Sequence, residues 1–242
     1  MTSAPRHTLP GVIAIVGSDG AGKSTLAAGL TDALSQERTT IFMYLGQDSG
    51  NILKAILRIP LIGSALGRFL KKRSGRAHAE EKKPAAPDAL TATVIFLLSV
   101  WRWVKFRKML RLSRSGTLII TDRYPQAEIQ GFYFDGPGLS RTAATSAFTR
   151  ALATLEARLY ERMSRFIPAL VIRINVSAEL AYARKPDHRL SSLQDKTRLI
   201  PALTFNGAHI LDLDGSEPLS DVLKDALAGV RTALKQGPDH TS

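Results

Sequence analysis

Cysteine is absent from this chain of 242 residues, which removes disulfides and thiolate metal sites and fits a reducing, cytoplasmic setting. Long apolar runs are missing as well. The longest uncharged stretch, 89–101, is thirteen residues, short of the roughly 20 that cross a bilayer, so no transmembrane helix is expected. Residues 1–10 lack the apolar core of a secretory signal. The histidines, His7, His78, His188, His209 and His240, show no metal-ligand spacing. Acids are scarce in one region: between positions 51 and 121 three acids stand against fifteen lysines and arginines, so this segment carries the whole formal charge of +12. It either meets an anionic partner or forms a solvated basic face.

What is present begins with Gly17-Ser18-Asp19-Gly20-Ala21-Gly22-Lys23-Ser24, a match to G-x-x-x-x-G-K-[ST]. Before it, 11–16 is a short β-branched run that reads as a buried parallel strand. Behind it, 25–34 has helical spacing. Strand, glycine-rich loop and helix in that order form a phosphate cradle: backbone N–H groups and the positive helix terminus face the phosphates, Lys23 reaches their oxygens, and Ser24 offers a hydroxyl to Mg²⁺.

Further along, 39–45 reads as a second strand. Residues 51–70 read as two short helices broken at Pro60 and near Gly63 and Gly67, and 71–87 as a mobile charged loop. A long helix is expected over 88–113, with Asp88 as N-cap and Gly116 just past its end. A third strand, 117–121, delivers Asp122-Arg123-Tyr124 at its carboxyl end, where open α/β sheets bind ligands. The loop 125–140 is glycine-rich and a candidate substrate cover. A helix over 142–165, a strand over 169–176, a helix over 177–183, a basic lid over 184–190, a helix over 191–203, a strand over 208–213 and a closing helix over 218–235 complete the pattern. The expected fold is a single α/β domain over 1–242, a P-loop NTPase with five parallel strands and helices on both faces, to which 51–115 adds a basic helical segment on the acceptor side.

The P-loop with Thr25, the Asp122-Arg123-Tyr124 triplet after a strand, the arginine-bearing loop after the fourth strand, and Asp212-Leu213-Asp214-Gly215-Ser216 before the last helix resemble the thymidylate kinase branch of the P-loop nucleoside monophosphate kinases. The likeness covers nearly the whole chain. It implies ATP and Mg²⁺ as cofactors, with Gly17, Ser18, Gly20, Ala21, Gly22, Lys23, Ser24 and Thr25 on the phosphates and Asp214, Gly215 and Ser216 near the adenine. It implies Ser24 and Asp122 near the metal, and Lys23, Arg123 and the lid arginines Arg184 and Arg189 as catalytic cations, with Lys185 a further candidate. On the acceptor side it implies Asp19, Arg123 and Tyr124.

The acceptor half departs from that family. Its second strand ordinarily leads into an Arg-Glu-Pro-Gly type motif, and here it leads into Leu45-Gly46-Gln47-Asp48-Ser49-Gly50. Trp101 stands where the base-reading arginine is expected, with Arg102 one residue out of register. Ala127 replaces a serine, and Gln130 only loosely matches a downstream glutamine. Trp101, Trp103 and the cluster Phe132-Tyr133-Phe134 could stack on a base or simply build the core.

Three functions follow as expectations. One is ATP- and Mg²⁺-dependent transfer of the γ-phosphate to a nucleoside monophosphate such as dTMP or another small anionic acceptor. A second is the same chemistry at the inner face of the membrane on a sugar- or lipid-linked acceptor, with 51–115 in peripheral contact with anionic lipid. A third is an ATP-dependent switch without an acceptor. A homodimer is compatible with each, and no nucleic-acid reader motif is present.

Overall fold

The computed structural model describes residues 6–47, 88–131, 134–140, 142, 144 and 146–236. The helices expected over 51–70, the charged loop expected over 71–87, and Phe132 and Tyr133 lie outside the described residues.

Five strands form one fully parallel sheet, β1 (His7–Gly17), β2 (Thr40–Tyr44), β3 (Leu118–Asp122), β4 (Phe166–Asn175) and β5 (Ile210–Asp214), in the spatial order β2-β3-β1-β4-β5. Among the described residues six α-helices alternate with them: α1 (Lys23–Ser35), α2 (Ala89–Arg114), α3 (Ala147–Ser164), α4 (Ala178–Arg184), α5 (Leu190–Leu199) and α6 (Leu219–Gln236). This is the α/β architecture of a P-loop NTPase.

Strand residues alternate between two apolar layers because successive side chains point to opposite faces. On one face Ile13, Ile15, Ile120 and Ile172 meet Leu26, Leu30 and Leu34 of α1 and Val222 and Val230 of α6. On the other, Val12, Ala14, Ile119 and Val171 meet Phe106 and Met109 of α2 and Tyr160 and Met163 of α3. The chain leaving β1 therefore goes to one face and the chain leaving β3 returns on the other. The crevice between their carboxyl ends is where such sheets bind ligands, and the pairing of Ile15 with Asp122 sets the P-loop beside the end of β3.

Element boundaries differ from expectation where local chemistry decides. β1 starts at His7 because it pairs with β4 from Phe166 onward, with a register shift between Leu9 and Ile13 that contains Pro10, a residue without an N–H for the ladder. α3 starts at Ala147 rather than 142. Ser146 and Thr149 form a capping box there, with Thr149 N donating to Ser146 Oγ and Ser146 N donating to Thr149 Oγ1, both at 3.1 Å. α2 fits its expected cap: the Thr91 amide donates to Asp88 Oδ1 at 2.7 Å, and Gly116 takes a φ of +85° just past the end. By length and composition α2 could cross a membrane, although its uncharged run is short. Its buried face packs on β1, β3 and α3. The expected lid 184–190 contracts to five residues, because Arg184 is the last residue of α4 and Leu190 the first of α5.

Candidate active site

The P-loop joins β1 to α1 with Gly17, Gly20 and Gly22 all at positive φ. Two of these glycines are required by close approach. A Cβ on Gly17 would lie 2.7 Å from the Ile174 carbonyl oxygen, and one on Gly20 would lie 2.5 Å from that of Ala181 in α4. The space a side chain at position 20 would need is thus filled by a neighbouring backbone.

Lys23 opens α1 and folds back over the loop, its Nζ donating to the carbonyl oxygens of Gly17 at 3.0 Å and Ser18 at 2.8 Å. It forms no ion pair among the described residues and is buried, and burial first, with Arg123 and Lys196 adding to it, lowers its pKa against the pull of Asp122 and Asp19. Ser18 is buried with its Oγ unpartnered. Ser24 and Asp122 share the head of a groove of about 670 Å³ that runs between α1 and β2. Burial raises the Asp122 pKa, with Lys23 and Arg123 opposing.

Asp19 is the hub of the site. Arg123 Nη2 donates to its Oδ1 at 2.7 Å, Lys196 Nζ donates to its Oδ2, and His188 Nδ1 lies 3.8 Å from Oδ2. Burial alone would raise this carboxyl group. Lys196 and Arg123 outweigh that and hold it well below the usual carboxylate range. Two segments far apart in the chain, the end of β3 and the continuous stretch of lid and α5, converge here on one P-loop side chain.

Arg123 has a φ of +64°, a left-handed conformation that a non-glycine residue holds only when its surroundings impose it. The surroundings are visible. Arg102 donates to the Arg123 carbonyl oxygen, while Asp135 sits 3.1 Å from Arg102 Nη2 and 3.8 Å from Arg123 Nη1. Burial would depress the Arg123 pKa, but Asp135, Asp19 and Asp122 raise it, so the guanidinium stays charged. Lys23, Asp122, Arg123, Asp135 and Lys196 line a cavity of about 20 Å³, room for about one water. Phe134, Ile200, Leu203 and Phe205 form its apolar wall.

Several expected residues stand elsewhere. Arg102 is 1% exposed and does not line the cavity; it is a buried brace from α2, reaching Tyr160 Oη at 3.2 Å as well as Asp135 and Arg123. Tyr124 does line the cavity, but its hydroxyl is taken by the Phe166 carbonyl oxygen, to which it donates at 2.6 Å, and its ring is set against Phe106. Trp101 is half-buried on α2. Trp103 stacks on Phe106 under the guanidinium of Arg162, which takes it away from the cavity. Gln130 is exposed. From the loop expected to cover a substrate, Phe134 and Asp135 line the cavity. Gln126 Nε2 donates to the carbonyl oxygens of Ile129 and Phe134, and Glu156 of α3 accepts the amides of Gly138 and Leu139.

Arg184 Nη1 bridges the carbonyl oxygens of Gly20 at 3.5 Å and Gly215 at 2.9 Å. It thereby ties the P-loop to the turn Asp214-Gly215-Ser216, where Asp214 accepts from the amide and hydroxyl of Ser216. Arg189 and Lys185 are exposed, with no side-chain partner among the described residues. Ala21 is buried beneath the loop, and Gly22 and Thr25 are exposed at the start of α1.

Lys196 and Asp135 are the residues that sequence reasoning missed. For Lys196 a signal existed: Leu193, Lys196 and Ile200 share the inward stripe of α5, so a lysine occupies a core position. Asp135 lay inside a glycine-rich loop, with nothing to mark it.

No family model matches the chain. The uncharacterized ATP-binding protein YghS of Escherichia coli K12 is 49% identical over 223 residues, which cover 92% of this chain and 93% of that protein. The uncharacterized ATP-binding protein YghR of the same strain is 41% identical over 230 residues, covering 95% and 90%, and the YghR of Escherichia coli O6:H1 matches to the same extent. Identities of this size over nearly full length place the chain in one family with those ATP-binding proteins, YghS and YghR.

Proposed function

We propose that this protein binds ATP at the P-loop and transfers its γ-phosphate to a small phosphorylated acceptor held on the Arg123 side of the cleft. The observation that carries this reading is the contact between Arg123 and Asp19, which joins the end of β3 to the phosphate loop within a single hydrogen bond of 2.7 Å. Phosphoryl transfer needs alignment and positive charge around the moving group more than it needs an acid or base, and Lys23, Arg123 and Lys196 supply that charge around one small cavity. The ATP-binding designation of YghS and YghR supports the donor half.

The residues fit a magnesium ion. Ser24 and Asp122 are hard oxygen donors facing one groove, the donor type of an ion held by one or two protein oxygens plus phosphates. Bound there, Mg²⁺ would neutralise phosphate charge. Lys23, already at the mouth of the loop, holds the donor phosphates, Arg123 orients the acceptor, and Arg184 keeps the base-side turn in register with the P-loop. The resemblance to thymidylate kinases favours a nucleoside monophosphate, dTMP among them, as acceptor.

One observation favours a membrane-surface version. Leu97, Val104, Lys108 and Arg111 follow one exposed stripe of α2, apolar at one end and cationic at the other, suited to an anionic lipid surface and a sugar- or lipid-linked acceptor. ADP release by the purified protein with Mg²⁺-ATP, measured against nucleoside monophosphates and sugar phosphates, tests the first version. Stimulation by one acceptor is expected. Binding of ATP with no stimulation by any soluble acceptor directs the test to anionic liposomes, and absence of co-sedimentation at low salt would refute the second version.

A further inference from the structure

Resting on the phosphotransfer reading above, we propose that Lys196 is an anion-binding residue of the cleft. It takes the phosphate of an incoming phosphate ester together with Arg123, and it is parked on Asp19 while the cleft is empty. Four observations converge on it.

The first is its place. Lys196 lies between Leu193 and Ile200 on the buried stripe of α5. An ammonium group sequestered there is costly unless a charge answers it. A leucine would serve the packing of α5 better.

The second is the charge count. One carboxylate, Asp19, answers two cations, Arg123 and Lys196, with His188 facing the same oxygen at 3.8 Å. Asp135 answers Arg123 as well, at 3.8 Å, and is shared with Arg102. Lys23, Arg123 and Lys196 line one small cavity, and Arg123 and Lys196 both bear on Lys23 as like charges. An anionic ligand would relieve that repulsion.

The third is an unpartnered donor. Arg123 Nε is buried without a hydrogen-bond partner, a vacancy of a kind that carries a desolvation cost until a ligand fills it. The fourth is reach. Lys196 and Arg123 line the same cavity, and a lysine head on a flexible four-carbon stem can swing from a carboxylate to a phosphate without movement of its helix.

The alternative is a static strap that only fastens α5 to the P-loop. Isothermal titration with inorganic phosphate, on protein saturated with Mg²⁺ and the non-hydrolysable analogue adenylyl imidodiphosphate, separates the two, because the donor phosphate positions are then full. The wild-type chain is expected to show one saturable phosphate site. Lys196→Gln should weaken it at least tenfold while leaving the affinity for the analogue within about threefold, and Lys196→Arg should recover most of the loss. Asp19→Asn should tighten phosphate severalfold, and that gain should vanish in combination with Lys196→Gln. Unchanged phosphate affinity in Lys196→Gln, or no phosphate site in the wild-type protein, overturns the proposal.

If Lys196→Gln fails to fold, Asp19→Asn alone decides: no tightening means that Lys196 does not compete for the anion. Failure of the analogue to bind would instead sink the donor reading. Phosphate titration of wild-type and Lys196→Gln protein without nucleotide would then still decide the role of Lys196.

Discussion

Arg102→Met offers the sharpest check on how the site is held, since two roles for this arginine predict opposite results. Its guanidinium is 1% exposed and reaches three acceptors, the Tyr160 hydroxyl at 3.2 Å, Asp135 Oδ1 at 3.1 Å and the Arg123 carbonyl oxygen. Removing one partner of a buried pair costs about 3–5 kcal/mol, because the other partner is left desolvated and unanswered. The lower end applies here. The Asp135 side chain is 22% exposed and keeps a second cation, Arg123, at 3.8 Å, and a methionine of similar length refills much of the volume. A loss of about 3 kcal/mol is expected from urea unfolding followed by circular dichroism. In a chain of this size that is a fall in thermal midpoint of roughly 6–12 °C. Arg102→Lys keeps the charge but cannot span the fork of acceptors, and should fall between methionine and wild type. A residue that touched the acceptor would behave differently, leaving stability in place and raising only the acceptor KM. A loss below about 1 kcal/mol in Arg102→Met would therefore refute the placement of Arg102 as a buried brace.

Lys23→Ala should reduce ATP turnover by at least about 100-fold, as loss of a charged donor at a phosphoryl group does, while circular dichroism shows an intact fold; undiminished turnover would remove Lys23 from the chemistry. Gly20→Ala should destabilise the protein by about 2 kcal/mol, because its left-handed backbone and the Ala181 carbonyl oxygen at 2.5 Å both oppose a Cβ; equilibrium unfolding gives the value. Stability below neutral pH should depend on Asp19. Its folded pKa is depressed, so its contribution is present above the unfolded value of about 4 and is lost as the pH falls from there toward the folded value. Asp19→Asn should flatten that acid limb in unfolding curves measured between about pH 5 and pH 2, and an unaltered limb would show that other carboxylates control it.

The sheet and its helices were legible because their signals are local. The β-branched run 11–16, the alternation of strands with amphipathic stretches, and caps such as Asp88 and Gly116 act over a few residues and left their pattern in the sequence. The phosphate loop was legible for the same reason. The surroundings of Arg123 and Asp19 were not, because their partners are distant in the chain. Lys196 lies 177 positions from Asp19, and Arg102 is turned inward by Tyr160, 58 positions away. Counting along α2 from Gly116 set the register of Arg102 but could not supply the hydroxyl that draws it inward. The glycines of 125–140 suggested a cover for a substrate. Gln126 and Glu156 bind the backbone of that loop through side-chain hydrogen bonds that composition does not reveal. Phe205 and Asn206, both at positive φ without being glycine, are held by Glu128, which accepts the amides of Thr204 and Asn206 across more than seventy positions.

The contact between Gly20 and the Ala181 carbonyl limits how this protein can change over generations. No side chain of any size can be introduced at position 20 unless α4 retreats, and α4 is fastened by the Ser177 cap and by Arg184 on the carbonyl oxygens of Gly20 and Gly215. A lineage starting from this arrangement cannot acquire an arginine at position 20 by one substitution. It would have to shift a helix and release Arg184 in the same step, so mutation can explore new cations in the lid and α5 long before it can explore them in the loop.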